Sequence, residues 1–261
     1  MTYLLELDCI GKRFGDNQVL HAASLWSTPG AVTYLVGRGG TGKSTMLRIA
    51  TGAIAADSGY VRFDGTTYFR PRLQRLAHRS LFYLPDRDLL SRRLAVRQQL
   101  ALTRRLLGQA SGGVSEKEAA NQLGLTALVD RRPGALSVGE RRRAELAMAL
   151  VRNPRCLLAD EPFRNLAPTD AEAVGHALRF LARRGCGIVI TGHEVTWLFN
   201  VADRVMWCTS GTTQDLGTVA DARHHWRFCR DYLGVRPLEA NELELPAAIN
   251  PHQADKDVHH A

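Results

Sequence analysis

The residues Gly37-Arg38-Gly39-Gly40-Thr41-Gly42-Lys43-Ser44 match the pattern GxxxxGK[ST] at every fixed position. A loop of this kind binds phosphate. Its glycines let successive backbone N–H groups turn toward anion oxygens, and the helix that follows presents its positive end to the same anion. Lys43 is placed to reach the β- and γ-phosphates, Ser44 to ligate Mg²⁺, and Thr45 to add a phosphate hydrogen bond. A second constellation stands in Cys156-Leu157-Leu158-Ala159-Asp160-Glu161-Pro162, where an apolar stretch ends in adjacent carboxylates. One acid suits Mg²⁺ and the other an attacking water, and alternation along a strand sends Asp160 and Glu161 to different sides. A third group, Gly192-His193-Glu194, follows another apolar run. A histidine in such a place is by itself as readily a capping or surface residue as a chemical one. The loop alone leaves kinases, GTPases, helicases and transporters open.

The elements that must position these groups are legible in the pattern. Residues 31–36 read as a strand and 44–50 as a helix, so the loop joins strand to helix as phosphate binding requires. Residues 3–68 are β-rich, with turn signals at Pro29-Gly30 and Asp64-Gly65. From 86 to 153 the pattern is helical, with an amphipathic helix over Val96–Leu107, a break at Ser111-Gly112-Gly113, and a capping box at Ser115 and Glu118. Leu136-Ser137-Val138-Gly139-Glu140 opens a helical run over 141–152, which leads into the acidic strand. Strand and helix alternate over 156–207, which implies an α/β fold with a parallel sheet flanked by helices. The tail, 235–261, mixes prolines, acids and amides with little apolar periodicity, and is expected to be disordered or to pack on a partner.

In this order the motifs resemble those of the ATP-binding cassette ATPases over nearly all of residues 4–234. The aromatic loop falls at Phe14, the Walker A loop at 37–45, the glutamine loop at Asp86, the signature at Leu136 to Glu140, the Walker B pair at Asp160 and Glu161, the D-loop at Asn165 to Ala167, and the switch histidine at His193. Tyr83-Leu84-Pro85, Gly139-Glu140-Arg141-Arg142-Arg143 and Tyr232-Leu233-Gly234 look most like the subgroup of lipopolysaccharide-export and branched-chain amino acid ATPases. The resemblance implies a P-loop NTPase fold: a RecA-like parallel core, an N-terminal antiparallel β subdomain and a helical subdomain at about 86–153, within one ATPase domain at 1–234. It also implies roles. Asp160 holds Mg²⁺, with Ser44 and Asp86 as further metal contacts; Glu161 orients the water; His193 bonds the γ-phosphate. Phe14 stacks on adenine, although a strand-end core residue is the other reading of that position. Ser137 and the backbone at Val138 and Gly139 would contact ATP held by the Walker A loop of a second subunit, so the unit is a dimer, of one chain or of two.

Three departures from the family pattern stand out. Asp86 replaces glutamine, which sets an extra carboxylate near the γ-phosphate unless an arginine such as Arg87 offsets it. Val138 replaces a glycine, where a branched side chain resists positive φ. Ala167 replaces the aspartate of the D-loop. A slow ATPase, or one half of an asymmetric pair, is the expected consequence.

The 261 residues carry a formal charge of +8, are 45% hydrophobic, and suffice for one domain with one sizeable core. Arginines dispersed on helices, without interleaved aromatics, argue against nucleic acid and for a solvated face or one beside anionic lipid. With no apolar run of about 18 residues and no signal pattern, the chain is expected on the cytoplasmic face of the inner membrane, held there by a transmembrane permease. Five scattered cysteines, Cys9, Cys156, Cys186, Cys208 and Cys229, read as buried free thiols. ATP and Mg²⁺ are the expected cofactors. The alternatives are a soluble single-cassette ATPase, or an ATP-binding regulator not coupled to transport.

Overall fold

The computed structural model describes residues 3–107 and 113–235. In chain order its elements are β1 (Leu5–Phe14), β2 (Asn17–Ser27), β3 (Val32–Val36), α1 (Lys43–Thr51), β4 (Ser58–Phe63), β5 (Thr66–Tyr68), α2 (Leu73–His78) and β6 (Leu81–Leu84). Then come α3 (Val96–Leu107), α4 (Glu116–Gln122), α5 (Val138–Arg152), β7 (Cys156–Asp160), α6 (Pro168–Arg183), β8 (Gly187–Gly192) and α7 (Val195–Val201). The described chain closes with β9 (Arg204–Thr209), β10 (Thr212–Thr218), α8 (Val219–His224), α9 (Trp226–Phe228) and a π-helical turn, Cys229–Leu233.

Strands β1, β2, β4 and β5 form an antiparallel sheet in the order β2-β1-β4-β5. A second sheet runs β10-β9-β3-β8-β7-β6, parallel from β9 to β6 with β10 antiparallel at its edge. The strand before the phosphate loop therefore leaves its sequence neighbours β1 and β2 and inserts between β8 and β9, a pairing that no local pattern specifies. The two sheets are stitched where the hydroxyl of Thr213 on β10 donates to the carbonyl of Ser24 on β2 at 2.6 Å and accepts that residue's N–H at 2.8 Å.

Alternation divides the parallel strands between two cores. Val32, Tyr34 and Val36, Leu157 and Ala159, and Ile188 and Ile190 face α5, α6 and α7. Leu35, Cys156, Leu158 and Val189 face α1, through Met46 and Leu47, and the antiparallel sheet. Burying each such side chain contributes roughly 1.5–3 kcal/mol, which is why runs apolar on both faces become central strands. Continuing the alternation puts Asp160 and Thr191 on the α1 side, toward the phosphate loop.

The helix expected over Val96–Leu107 is α3, and Ser115 caps α4 by accepting the Glu118 N–H. Ser111 and Gly112 lie outside the described residues, as does most of the tail expected at 235–261. Two expectations need correction. Cys9 is exposed and adopts φ +50° at a register shift in β1, because a bulge rather than a core position sets its side chain; the other four cysteines are buried. Val138 is the first residue of α5 and, among the described residues, is not one of those with positive φ, so it carries no strain.

Candidate functional site

The site is assembled from the C-terminal ends of β3, β7 and β8. After Val36 the chain turns through Gly37 to Gly42, and α1 starts at Lys43. Gly42, the residue before the helix, sits at φ +103°, a conformation that would strain a residue with a side chain. Gly37 approaches the Cys208 carbonyl so closely that a Cβ would overlap it. Gly39 and Gly40 form the exposed tip, and the Thr41 hydroxyl donates to the Arg38 carbonyl at 2.9 Å. Lys43 folds back over its own loop, donating to the carbonyls of Gly37 at 2.7 Å and Arg38 at 2.9 Å. Burial pushes its pKa down, against the pull of Glu161, Cys208 and Asp160. Thr45 lies half-buried in the first turn of α1.

Asp160 ends β7 directly opposite Thr191 of β8. Its Oδ1 accepts from Ser44 Oγ at 2.9 Å and from Thr191 Oγ1 at 2.5 Å. Its Oδ2 is buried with no partner. Burial raises the carboxyl's pKa, and the Thr191 and Ser44 hydroxyls oppose the shift. A buried, unsatisfied carboxylate oxygen beside a serine hydroxyl is a hard-oxygen donor set that fits Mg²⁺. Among the described residues no group of three or more His, Cys, Asp or Glu gathers for a metal, so further ligands would come from phosphate and water, the usual arrangement for this ion.

Glu161 leaves the strand. It adopts φ +46°, and its N–H is shared between the carbonyl and the hydroxyl of Thr191, both at 3.1 Å. This turn, rather than simple alternation, aims its carboxylate: Oε1 lies 3.8 Å from His193 Nδ1, and Oε2 lies 3.6 Å from Arg164. His193 follows β8 with its side chain half exposed. Phe14 ends β1 with its ring 46% exposed and the Lys12 ammonium 5.3 Å from its centroid, which rules out the core reading.

Other candidates flank this cluster, and the charge of Asp86 adds to the upward shift of the Asp160 carboxyl. Asp86 faces Arg48 of α1 at 3.7 Å, so the arginine that offsets it is Arg48 rather than Arg87. Burial raises the pKa of the nearby Tyr83 hydroxyl to about 12, against the pull of Arg48. Ser137 caps α5 in a reciprocal box with Glu140, which uses the hydroxyl as an acceptor and leaves its hydrogen to donate. Gly139 packs against the Asp170 carboxylate of α6, which Arg143 holds at 2.8 Å. Among the described hydrogen bonds and ion pairs, none joins Ser137 or Gly139 to the phosphate loop. Ala167 stands at the cap of α6 with no side-chain bond to offer. Sequence reasoning missed Thr191, Arg48 and Arg164; only Thr191 left a signal, a hydroxyl closing an otherwise apolar strand.

The arrangement can cradle a polyphosphate, hold one divalent cation, and set a carboxylate and an imidazole beside the terminal phosphoryl group. Comparison with known proteins agrees with that chemistry. The family model for ABC transporters matches residues 20–164. The phosphonates import ATP-binding protein PhnC 2 of Rhodopseudomonas palustris is 34% identical, over 80% of this chain and 77% of that protein. The lipopolysaccharide export system ATP-binding protein LptB of Haemophilus influenzae is 29% identical, over 88% of this chain and 97% of that one. The ribose import ATP-binding protein RbsA of Bacillus licheniformis is 29% identical over 85% of this chain, which spans about half of that relative's length, 46%. The crystal structure of the ADP conformation of MJ1267, an ATP-binding cassette of an ABC transporter, shares the fold, with a TM-score of 0.76 at 23% identity over 90% of this chain and 98% of that one.

Proposed function

Because the chain belongs to the ABC transporter family, whose ATP-binding cassettes are ATPases, we propose that it is the subunit that binds and hydrolyses ATP and drives a separate transmembrane permease. The observation that carries this reading is the chain of bonds Ser44–Asp160–Thr191, with Lys43 within the electrostatic reach of Asp160 and Glu161, and Glu161 3.8 Å from His193. In this reading Lys43 exchanges the carbonyls of Gly37 and Arg38 for the β- and γ-phosphates. Ser44 and the free Oδ2 of Asp160 hold Mg²⁺, which would neutralise charge on the phosphate oxygens. Glu161 accepts a hydrogen bond from the attacking water and lines it up with the γ-phosphate, and His193 bonds that phosphate from the other side. Phe14, exposed at the strand end, offers its face to adenine. Positioning and charge carry almost all of the catalysis in such a transfer.

The signature residues Ser137 and Gly139, which no described hydrogen bond or ion pair joins to their own phosphate loop, act on the nucleotide of a second cassette. Two cassettes closed by ATP and released by hydrolysis then supply the mechanical stroke. The basic surface is assigned no nucleic acid, since many arginines face acids, as in Arg62–Glu6, Arg155–Asp64 and Arg204–Asp215. No helix among the described residues is long and apolar enough to cross a membrane, so attachment to the cytoplasmic face would run through the permease.

Isolating the chain from its native membranes in mild detergent with nucleotide tests this reading. Co-purification of a polytopic membrane protein with a second cassette is the expected result. Recovery with soluble partners alone would overturn it in favour of a soluble ATPase.

A further inference from the structure

The π-helical turn Cys229–Leu233, far from the phosphate loop in sequence, reaches back to the site. Its Tyr232 ring stacks on the fully buried Phe228 with centroids 5.3 Å apart, and Phe228 meets Trp207 of β9 edge-on at 5.7 Å. Ring and turn are thereby fixed to the parallel sheet. The Tyr232 hydroxyl donates to the backbone carbonyl of His193 at 3.0 Å. Burial holds its pKa up at about 12, so the proton it donates stays in place near neutrality. Beside this bond, Arg38 of the phosphate loop donates to the Asp231 carbonyl at 2.9 Å. One residue further on, the Tyr34 hydroxyl of β3 approaches the Glu194 carbonyl at 3.4 Å. Two tyrosines therefore hold the main chain around His193, while its imidazole projects toward Glu161.

We infer that Tyr232 is a positioning residue for ATP hydrolysis: its hydroxyl ties the backbone of His193 to the π-helical turn that Arg38 of the phosphate loop also grips, and so sets where the imidazole stands. The inference rests on the reading of His193 as a contact to the γ-phosphate. A bond to the main chain suits the task, because it fixes the origin of the side chain and leaves the imidazole free to meet the nucleotide. A bond to the ring would compete with that contact.

Tyr232→Phe removes the hydroxyl and keeps the stacked ring. In the full chain with Mg²⁺ and ATP, loss of one such bond is expected to lower kcat about threefold to tenfold while KM for ATP and the melting temperature hold. In a His193→Ala background the same substitution should have no further effect, because the residue acts through that imidazole. Unchanged turnover, or an equal loss with and without His193, would overturn the inference. A wild-type chain without turnover would instead refute the hydrolase reading. The decision would then pass to the His193 ring resonance, identified by its absence in His193→Ala: a shift in Tyr232→Phe supports the tie, and an unmoved resonance overturns it.

Discussion

Asp160 is held by two hydroxyls on one oxygen and by nothing on the other, and that asymmetry prepares it for a metal. Thr191 does most of the holding, since its hydroxyl bonds Asp160 and its carbonyl and hydroxyl take the Glu161 N–H. Thr191→Val keeps the shape and deletes the hydroxyl. Losing a buried bond to a charged group costs about 1.5–3 kcal/mol. The Mg²⁺ concentration giving half-maximal hydrolysis should therefore rise roughly tenfold or more, as read from initial rates across a Mg²⁺ titration. Glu161→Gln should lower kcat by about 10²–10⁴-fold, the usual worth of a general base, while a fluorescent ATP analogue still binds. Equal phosphate release by wild type and Glu161→Gln would instead identify an ATP-binding regulator.

At the scale of elements, α5 is bound more tightly to its surroundings than its run of arginines, Arg141 to Arg143, suggests. Its Gly139 touches the Asp170 carboxylate of α6, so the signature glycine has a packing reason in addition to any nucleotide contact. Gly139→Ala should destabilise the chain by about 1–3 kcal/mol through overpacking. Asp170→Gly should recover part of that loss in urea denaturation, which a purely nucleotide-binding glycine would not show. Further along α5, Glu145 accepts from the Leu89 N–H at 2.7 Å and from Arg142 at 2.9 Å, with both side chains buried. Burial nevertheless raises its pKa above the ordinary 4.5, outweighing the pull of Arg142. Between 4.5 and the raised value the folded chain keeps a proton that the unfolded chain has released, so stability falls as pH rises through that window. Glu145→Gln should flatten this part of the pH profile of urea midpoints, and at neutral pH should cost about 3 kcal/mol by leaving Arg142 without its buried partner.

At the scale of the whole molecule, the phosphate loop and the signature belong to different neighbourhoods of one chain. Asp86, Val138, Arg141, Glu145 and Arg164 line a charged pocket of about 160 Å³ beside the start of α5. Two copies, or this chain and a second cassette, would complete the nucleotide sites in trans. Glu161→Gln with Mg²⁺ and ATP should therefore accumulate a closed pair, seen by light scattering as a species about twice the 28.8 kDa of the chain if the pair is homomeric. A homogeneous monomer at saturating ATP, when no second cassette is supplied, would point to a heteromeric pair.

The sequence by itself determined the chemistry and the local elements. GxxxxGK[ST] after an apolar run fixes a phosphate loop because its glycines and the helix start are contiguous. The spacing of Val96–Leu107 fixes a helix because its buried face recurs with the helical period. The order of motifs identified the family for the same reason, each motif being a short local signal. The tertiary structure alone decided what depends on pairing between distant strands. It moved β3 out of the N-terminal sheet, set Thr191 opposite Asp160, turned Glu161 to φ +46°, and chose Arg48 as the partner of Asp86. It also brought Tyr232 against His193. These contacts join residues far apart in the chain, and their energy comes from burial and register that no window of sequence contains.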